Sequence, residues 1–315
     1  MKIKNIGGEL GLIKLFKENK LPKEVLLGIG DDCAVVKIGG KLVCITTDTL
    51  IDGNHFSTKY FSPNQIGMKA MESNVSDIAS MGGMPRYALV SLNLRKDSTV
   101  EFVKGLYKGI KKVCKKYGVC LIGGDTTSGK EISITITLMG EVEKGYLCKR
   151  SEAKIGDFIF VSGDLGKSFA GMHLLQKGLK GKSVKDHLEP RSRLDFSKRF
   201  AKNINAMADV SDGLATDVRN ICLMSNVGAV IYKDNIPVSE STVDAAQKVG
   251  KDPYDYALFG GEDFELVFTV SEKNLGKVPG YLVGEITKKK GVRIYQNGKE
   301  SVLKRFGFDH FLTPI

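Results

Sequence analysis

The residues with chemistry to offer are mostly carboxylates. They fall in short turn-like segments, beside glycine or after apolar runs: Asp31-Asp32, Asp48, Asp52, Asp77, Asp125, Asp209, Asp212 and Glu262-Asp263. Their companions are Ser and Thr; the chain has only 4 His, and its 6 Cys include no C-x-x-C pair. Hard oxygen donors of this kind suit Mg²⁺ rather than zinc. Carboxylates converging on one cleft repel one another unless cations join them. Acidic turns in a chain of net charge +11 therefore point to metal-bridged phosphates. Asp and Gly also build ordinary turns, which explains any one of these segments but not their repetition.

Thr46-Thr47-Asp48 follows an apolar run and offers two hydroxyls and a carboxylate as a shelf for Mg²⁺. Asp77 can reach the same metals if its helix lies over that strand end. Gly123-Gly124-Asp125-Thr126-Thr127 lets backbone N–H groups approach a phosphate closely, with Asp125 placed to hold the bridging metal. Ser162 to Ser168 contains Gly-Lys-Ser, but 2 residues separate it from the preceding glycine where a P-loop needs 4. It reads as a strand-to-helix turn. His55, in Asp52-Gly-Asn-His-Phe56, is either a structural histidine or a substrate-phosphate contact. No nucleophile–His–Asp spacing and no protein-kinase motif set is present.

The elements that must position these groups alternate. Strands are expected over 41–46, 86–94, 119–122 and 132–138. Helices are expected over 65–80 and 98–117, the second opened by a Ser98/Glu101 capping box and stopped at Gly118. A charged stretch, 143–157, reads as a linker. Beyond it come strands over 157–162, into 209, and over 229–232, 264–270, 281–286 and 292–295, with helices over 168–177, 191–203 and from 214. Asn74-Val-Ser-Asp77 is echoed by Asp209-Val-Ser-Asp212, and Gly123-Gly-Asp125 by Gly260-Gly-Glu-Asp263, so both halves are expected to feed acidic turns into one site.

Composition excludes several classes. At 42% hydrophobic and 26% charged residues the chain suits folded domains. Met1 to Lys20 reads as a short amphipathic helix rather than a secretory signal, and no apolar run approaches the roughly 20 residues of a membrane span. Scattered cysteines fit a reducing, cytoplasmic compartment. Lys108, Lys111, Lys112, Lys115 and Lys116, and Lys288 to Lys290, lack a stacking-aromatic motif between them. A solvated face is expected there, not a nucleic-acid groove.

Together, Gly28-Ile-Gly-Asp-Asp-Cys-Ala34, Thr46-Thr-Asp-Thr-Leu50, Asp52-Gly-Asn-His-Phe56, Asn74-Val-Ser-Asp77 with Met81-Gly-Gly, Ile122-Gly-Gly-Asp-Thr-Thr127, Asp209-Val-Ser-Asp-Gly213, Gly260-Gly-Glu-Asp-Phe-Glu265 and Gly307-Phe-Asp-His-Phe311 resemble the thiamine-monophosphate kinase family, in that family's order and over nearly the whole chain. The resemblance implies an α/β (α+β) chain with a two-domain aminoimidazole ribonucleotide synthetase-like fold. Each domain would be a mixed sheet packed with helices, residues 1–145 binding ATP and Mg²⁺ and dimerising, residues 146–315 completing the cleft. It implies direct phosphoryl transfer from ATP to thiamine monophosphate without a phosphoenzyme. The matching metal positions are Asp32, Thr46, Thr47, Asp48, Asp77, Asp125, Asp209 and Asp212. The nucleotide positions are Tyr107, Gly124, Asp125, Arg150 and Ser211. The substrate positions are His55, Glu262 and Phe308, where Phe308 keeps the ring but lacks the hydroxyl of the Tyr often found there. A homodimer through the N-terminal domain is also implied. The alternatives are a sister ATP-dependent synthetase of the purine-pathway type and, from a different class, a basic nucleic-acid-binding module, which leaves the acidic turns unexplained.

Overall fold

The structure, a computed structural model, describes residues 1–18 and 20–312. Two mixed sheets organise it, with strand order β1-β2-β3-β6-β4-β5 in the first and β13-β12-β9-β11-β7-β10-β8 in the second. The first half contains α1 (Gly8–Phe16), β1 (Val25–Leu27), β2 (Ala34–Ile38), β3 (Lys41–Ile51), α2 (Pro63–Ser80), β4 (Met84–Arg95), α3 (Val100–Tyr117), β5 (Cys120–Gly129) and β6 (Ser133–Val142). The second contains β7 (Phe158–Val161), α4 (Lys167–Gln176), α5 (Ser183–Leu188), α6 (Leu194–Phe200), β8 (Met207–Asp209), α7 (Leu214–Ser225), β9 (Gly228–Tyr232), α8 (Glu240–Val249), α9 (Pro253–Phe259), β10 (Leu266–Val270), β11 (Tyr281–Thr287), β12 (Gly291–Gln296) and β13 (Lys299–Val302). The β4–β5 and β9–β12 pairs are parallel and the other pairings antiparallel. Each sheet has its own apolar core.

α2 is the element that joins the halves. Ser62 and Gln65 form its capping box, a cap typically worth ~1 kcal/mol. From Ile66 to Ser80 every residue except Asp77 is buried, although Lys69, Glu72, Ser73, Asn74, Ser76 and Ser80 are polar. One face lies on β3 and β6 and against α3. At the α2–α3 crossing a Cβ on Gly67 would meet Leu106 O at 2.1 Å, and one on Gly109 would meet Asn64 O at 2.0 Å, so the two backbones touch. The other face docks on the second half: Glu72 accepts from Ser192 N and Oγ, both 2.9 Å, Ser76 Oγ donates to Asp209 at 2.6 Å, and Ser197 Oγ donates to Ala79 O at 2.5 Å. Burial of these side chains is tolerable because each makes at least one hydrogen bond, Asn74 through its Nδ2 to Ala70 O.

Several sequence expectations are corrected. The cap of α3 is Thr99, which accepts from Phe102 N, while Ser98 Oγ is buried without a partner; no Ser98/Glu101 box forms. β3 runs past Thr46 to Ile51, so Asp48 lies within the strand and not beyond it. β5 is not a short buried strand ending at residue 122. It continues to Gly129 as an exposed edge, and Gly123-Gly124-Asp125 lies inside it. The 143–157 stretch contains a one-turn helix at Arg150–Glu152 that belongs to the site described below.

Candidate active site

Strand alternation decides which residues of the Thr-Thr-Asp segment can act together. Successive side chains point to opposite faces. Thr46 is buried toward α2 and its Oγ1 donates to Asp77 Oδ2 at 2.5 Å. Asp48, two residues on, shares that face, where burial raises its carboxyl and nearby Ser73 of α2 partly offsets the rise. Thr47 points the other way, exposed, its Oγ1 3.1 Å from Thr137 Oγ1. The expected shelf of two hydroxyls is therefore one hydroxyl and one carboxylate.

At the seam between the sheets, Asp32, Asp77 and Asp209 each bring a carboxylate oxygen within 4.8 Å of the others. Asp32 comes from the turn before β2, Asp77 from α2 and Asp209 from the end of β8, the edge strand of the second sheet. The echoed motifs meet directly here through the Ser76–Asp209 bond. The groups behave as crowded carboxylates. Burial, then the neighbouring Asp48, Asp209 and Asp32, pushes the Asp77 carboxyl well up. Burial and Asp32 push Asp209 up to about 8, and burial and Glu9 push Asp212 up to about 7. Burial also raises Asp48.

Two observations fit this pocket to a divalent cation. Asp32 Oδ2 and Asp209 Oδ1 are buried and receive no hydrogen bond, a costly arrangement unless something positive meets them. The donor set is all oxygen, as Mg²⁺ requires. The Arg150 guanidinium pairs with Asp32, and its backbone N–H reaches Asp31 Oδ2 at 3.1 Å. Asp217, which drew no notice in the sequence, is buried in the first turn of α7; its Oδ2 accepts from Asp212 N at 3.3 Å, and its Oδ1 is unpartnered. Its position five residues after Asp212, at the start of a helix, was the available signal.

A second group of side chains lies beside this cluster. His55 and His310 ring centroids are 5.1 Å apart, and Phe308 meets His310 edge-on at 4.8 Å. The structure thus gathers the expected His55 and Phe308 through His310, which sequence reasoning passed over although it stands in the Gly307–Phe311 segment. Glu262, in left-handed backbone at φ 63°, donates its N–H to Ser211 O at 2.8 Å. Burial, then His310 and Lys69, lowers His55 to about 4, so its ring is neutral near pH 7.

Other expected residues are not brought in. Asp125 is exposed on β5, and β6 and β4 stand between β5 and β3. At ~4.8 Å per strand that spacing is about 14 Å, too far for one ion to join Asp125 to Asp48 within one chain. Gly124, in the same edge strand, pairs with Val90 of β4. Tyr107 packs from α3 onto the first core. In the Ser162–Ser168 turn, the N–H groups of Gly166 and Ser168 donate to Asp263 at 2.5 and 3.0 Å, so a carboxylate already occupies the place a phosphate would need. Among the described residues no helix is long and apolar enough to cross a membrane.

Comparison with known proteins points one way. Residues 30–142 match the AIR synthase related protein, N-terminal domain, and residues 154–297 match the corresponding C-terminal domain. A protein of Aquifex aeolicus (strain VF5) named thiamine-monophosphate kinase is 37% identical over 318 residues, covering 99% of this chain and 100% of that one. The Bacillus subtilis (strain 168) protein of the same name is 37% identical over 317 residues, covering 90% and 93%. A solved structure described as AaThiL complexed with AMPPCP and TMP superposes with a TM-score of 0.89 at 36% identity, covering 99% of both chains.

Proposed function

The chain belongs to the thiamine-monophosphate kinase family, within the AIR synthase related proteins, and from that membership we propose that it transfers the γ-phosphoryl group of ATP to the phosphate of thiamine monophosphate, giving thiamine diphosphate and ADP. The observation that carries this reading is the convergence of Asp32, Asp77 and Asp209 at the seam of the two halves, with Asp48 alongside.

Both reactants are anions, so the main obstacle is bringing two phosphates together. Such a transfer depends on positioning and charge neutralisation far more than on covalent catalysis. Asp32, Thr46, Asp48, Asp77, Asp209 and Asp212 are the residues that would hold Mg²⁺, which supplies that neutralisation when bound. Thr47 would take part only through its backbone, because its side chain faces away. Arg150 and Ser211 border this cluster on the nucleotide side. His55, Glu262 and Phe308 line the acceptor side, where aromatic rings suit the flat rings of thiamine. No general base is needed, since a phosphate oxygen of the acceptor is already ionised.

We infer further that the working unit is a homodimer joined through the first sheet, the chain dividing into domains at about residue 145. One face of that sheet carries the helices. The other exposes Tyr87 at 48%, Leu89 at 39% and Ile122 at 55% beside the unpaired edge of β5. A partner's β5 is then the source of Asp125 and Gly124 for each site. A cytoplasmic location accords with cysteines that are free and, Cys120 apart, buried.

The test is direct. Purified protein with ATP, Mg²⁺ and thiamine monophosphate should form thiamine diphosphate, separated from the monophosphate by chromatography and read as its fluorescent thiochrome derivative. Absence of that product, together with turnover of a purine-pathway formylglycinamidine substrate, would overturn the reading.

A further inference from the structure

Lys69 is a lysine in the middle of α2 whose side chain has no exposure at all. A buried ammonium is costly unless its protons find acceptors, and here they do. Nζ donates to His55 O at 2.6 Å and lies 2.7 and 2.8 Å from the two carboxylate oxygens of Glu262. The Phe61 ring covers it, 5.2 Å from Nζ to centroid. His187 Nδ1 is 3.7 Å from Glu262, but burial and then Lys69 push its pKa down to about 3, so it stays uncharged. Lys69 is therefore the one cation paired with Glu262 among the described residues. The exposures are ordered: Glu262 is 27% exposed at the cleft, and Lys69 stands wholly behind it. Its three protons join a loop of the first half to a turn of the second, His55 and Glu262, the two polar groups assigned above to the acceptor.

We propose that Lys69 is a positioning residue for the acceptor substrate: it fixes the Glu262 carboxylate against the His55 loop, so that the two groups meeting the thiamine end are held in one register across the domain seam. This rests on the kinase reading above and deepens it. Lys69 does not touch substrate, so its effect runs through Glu262 and is specific to the acceptor, leaving ATP binding aside. A carboxylate anchored by a charge-assisted pair presents its outer lone pairs in a fixed direction, as a donor on a flat heterocycle requires.

The experiment is a double-mutant cycle on the full-length enzyme, with Lys69→Met, Glu262→Gln and the double variant, varying thiamine monophosphate and ATP separately. Lys69→Met should raise KM for thiamine monophosphate by about 10- to 100-fold while KM for ATP stays within about twofold. The double variant should lie within about threefold of Glu262→Gln alone, because the two residues act as one unit. A folded Lys69→Met enzyme with an unchanged acceptor KM, an equal rise in both KM values, or multiplicative effects in the double variant would overturn the proposal. If Lys69→Met does not fold, Lys69→Gln is introduced into Glu262→Gln, removing both charges together; equal acceptor KM supports the proposal and a further rise overturns it. A wild-type enzyme that makes no thiamine diphosphate would instead overturn the kinase reading, so the two failures are distinct.

Discussion

Removing divalent cations and raising the pH from about 6 to about 8 should weaken the fold, and the share of Asp209 alone can be worked out. In the unfolded chain this carboxyl loses its proton near pH 4. In the folded protein burial and Asp32 hold the proton until about pH 8. Between those values the native state carries a proton that the unfolded state lacks, so stability falls as pH rises. The contribution is fully present below about pH 4 and gone above about pH 8. The slope is ~1.4 kcal/mol per pH unit for one proton, or ~3 kcal/mol across this window. For a chain of this length that corresponds to a drop of about 4 °C in melting temperature. The assay is thermal unfolding by circular dichroism in EDTA at both pH values, repeated with excess Mg²⁺. Mg²⁺ binds the ionised carboxylates, so its stabilisation should be larger at the higher pH. Asp209→Asn has no proton to lose there and should make the pH dependence in EDTA shallower by that share, while the raised Asp77 and Asp212 keep theirs. A melting temperature that is level or rises over this window in EDTA, or an equal Mg²⁺ effect at both pH values, would refute the picture of crowded, cation-seeking carboxylates.

Two further outcomes are expected. Asp48→Ala and Asp125→Ala should each lower turnover by at least about a thousandfold and still fold, but refolding the two variants together should restore turnover, because one site of the mixed dimer then holds both native carboxylates; failure of the mixture, with dimers formed, would place Asp125 outside the partner's site. Gly124→Ala should disorder the β5 edge, since φ is 155° and an added Cβ would lie 1.8 Å from Val90 O; the expected signature is a weakened dimer in analytical ultracentrifugation, and an unchanged association constant would refute it.

Much of the site was legible because its chemistry is local. Asp32, Asp77 and Asp209 each sit in a short motif that reports its own geometry, and two of those motifs meet through Ser76 and Asp209. What failed was also local but needed register. The Thr46/Thr47 choice turns on which face of β3 is covered, and nothing within residues 41–48 says that α2 lies on one side only. Asp125 looked like a turn residue because Gly-Gly precedes it, whereas the strand runs on through both glycines as an exposed edge. Ser98 is the better cap by type, yet the helix begins one residue later and Thr99 takes the cap, accepting from Phe102 N. Lys69 was invisible for a different reason. A lysine in a helix reads as solvated, and only its partners, Glu262 far along the chain and His55 O, make burial tolerable.

The polar stripe on α2 also bears on how the chain is made. The partners it meets across the seam, Ser192, Ser197, Asp209 and Glu262, lie more than a hundred residues downstream. During synthesis at ~5–20 residues per second, α2 therefore waits several seconds without its final partners. An apolar helix in that position would present a sticky face to other nascent chains throughout the interval. A stripe of Lys, Glu and Ser can be hydrated until the second half arrives, so the same side chains that later lock the seam keep the unfinished protein from associating with its neighbours.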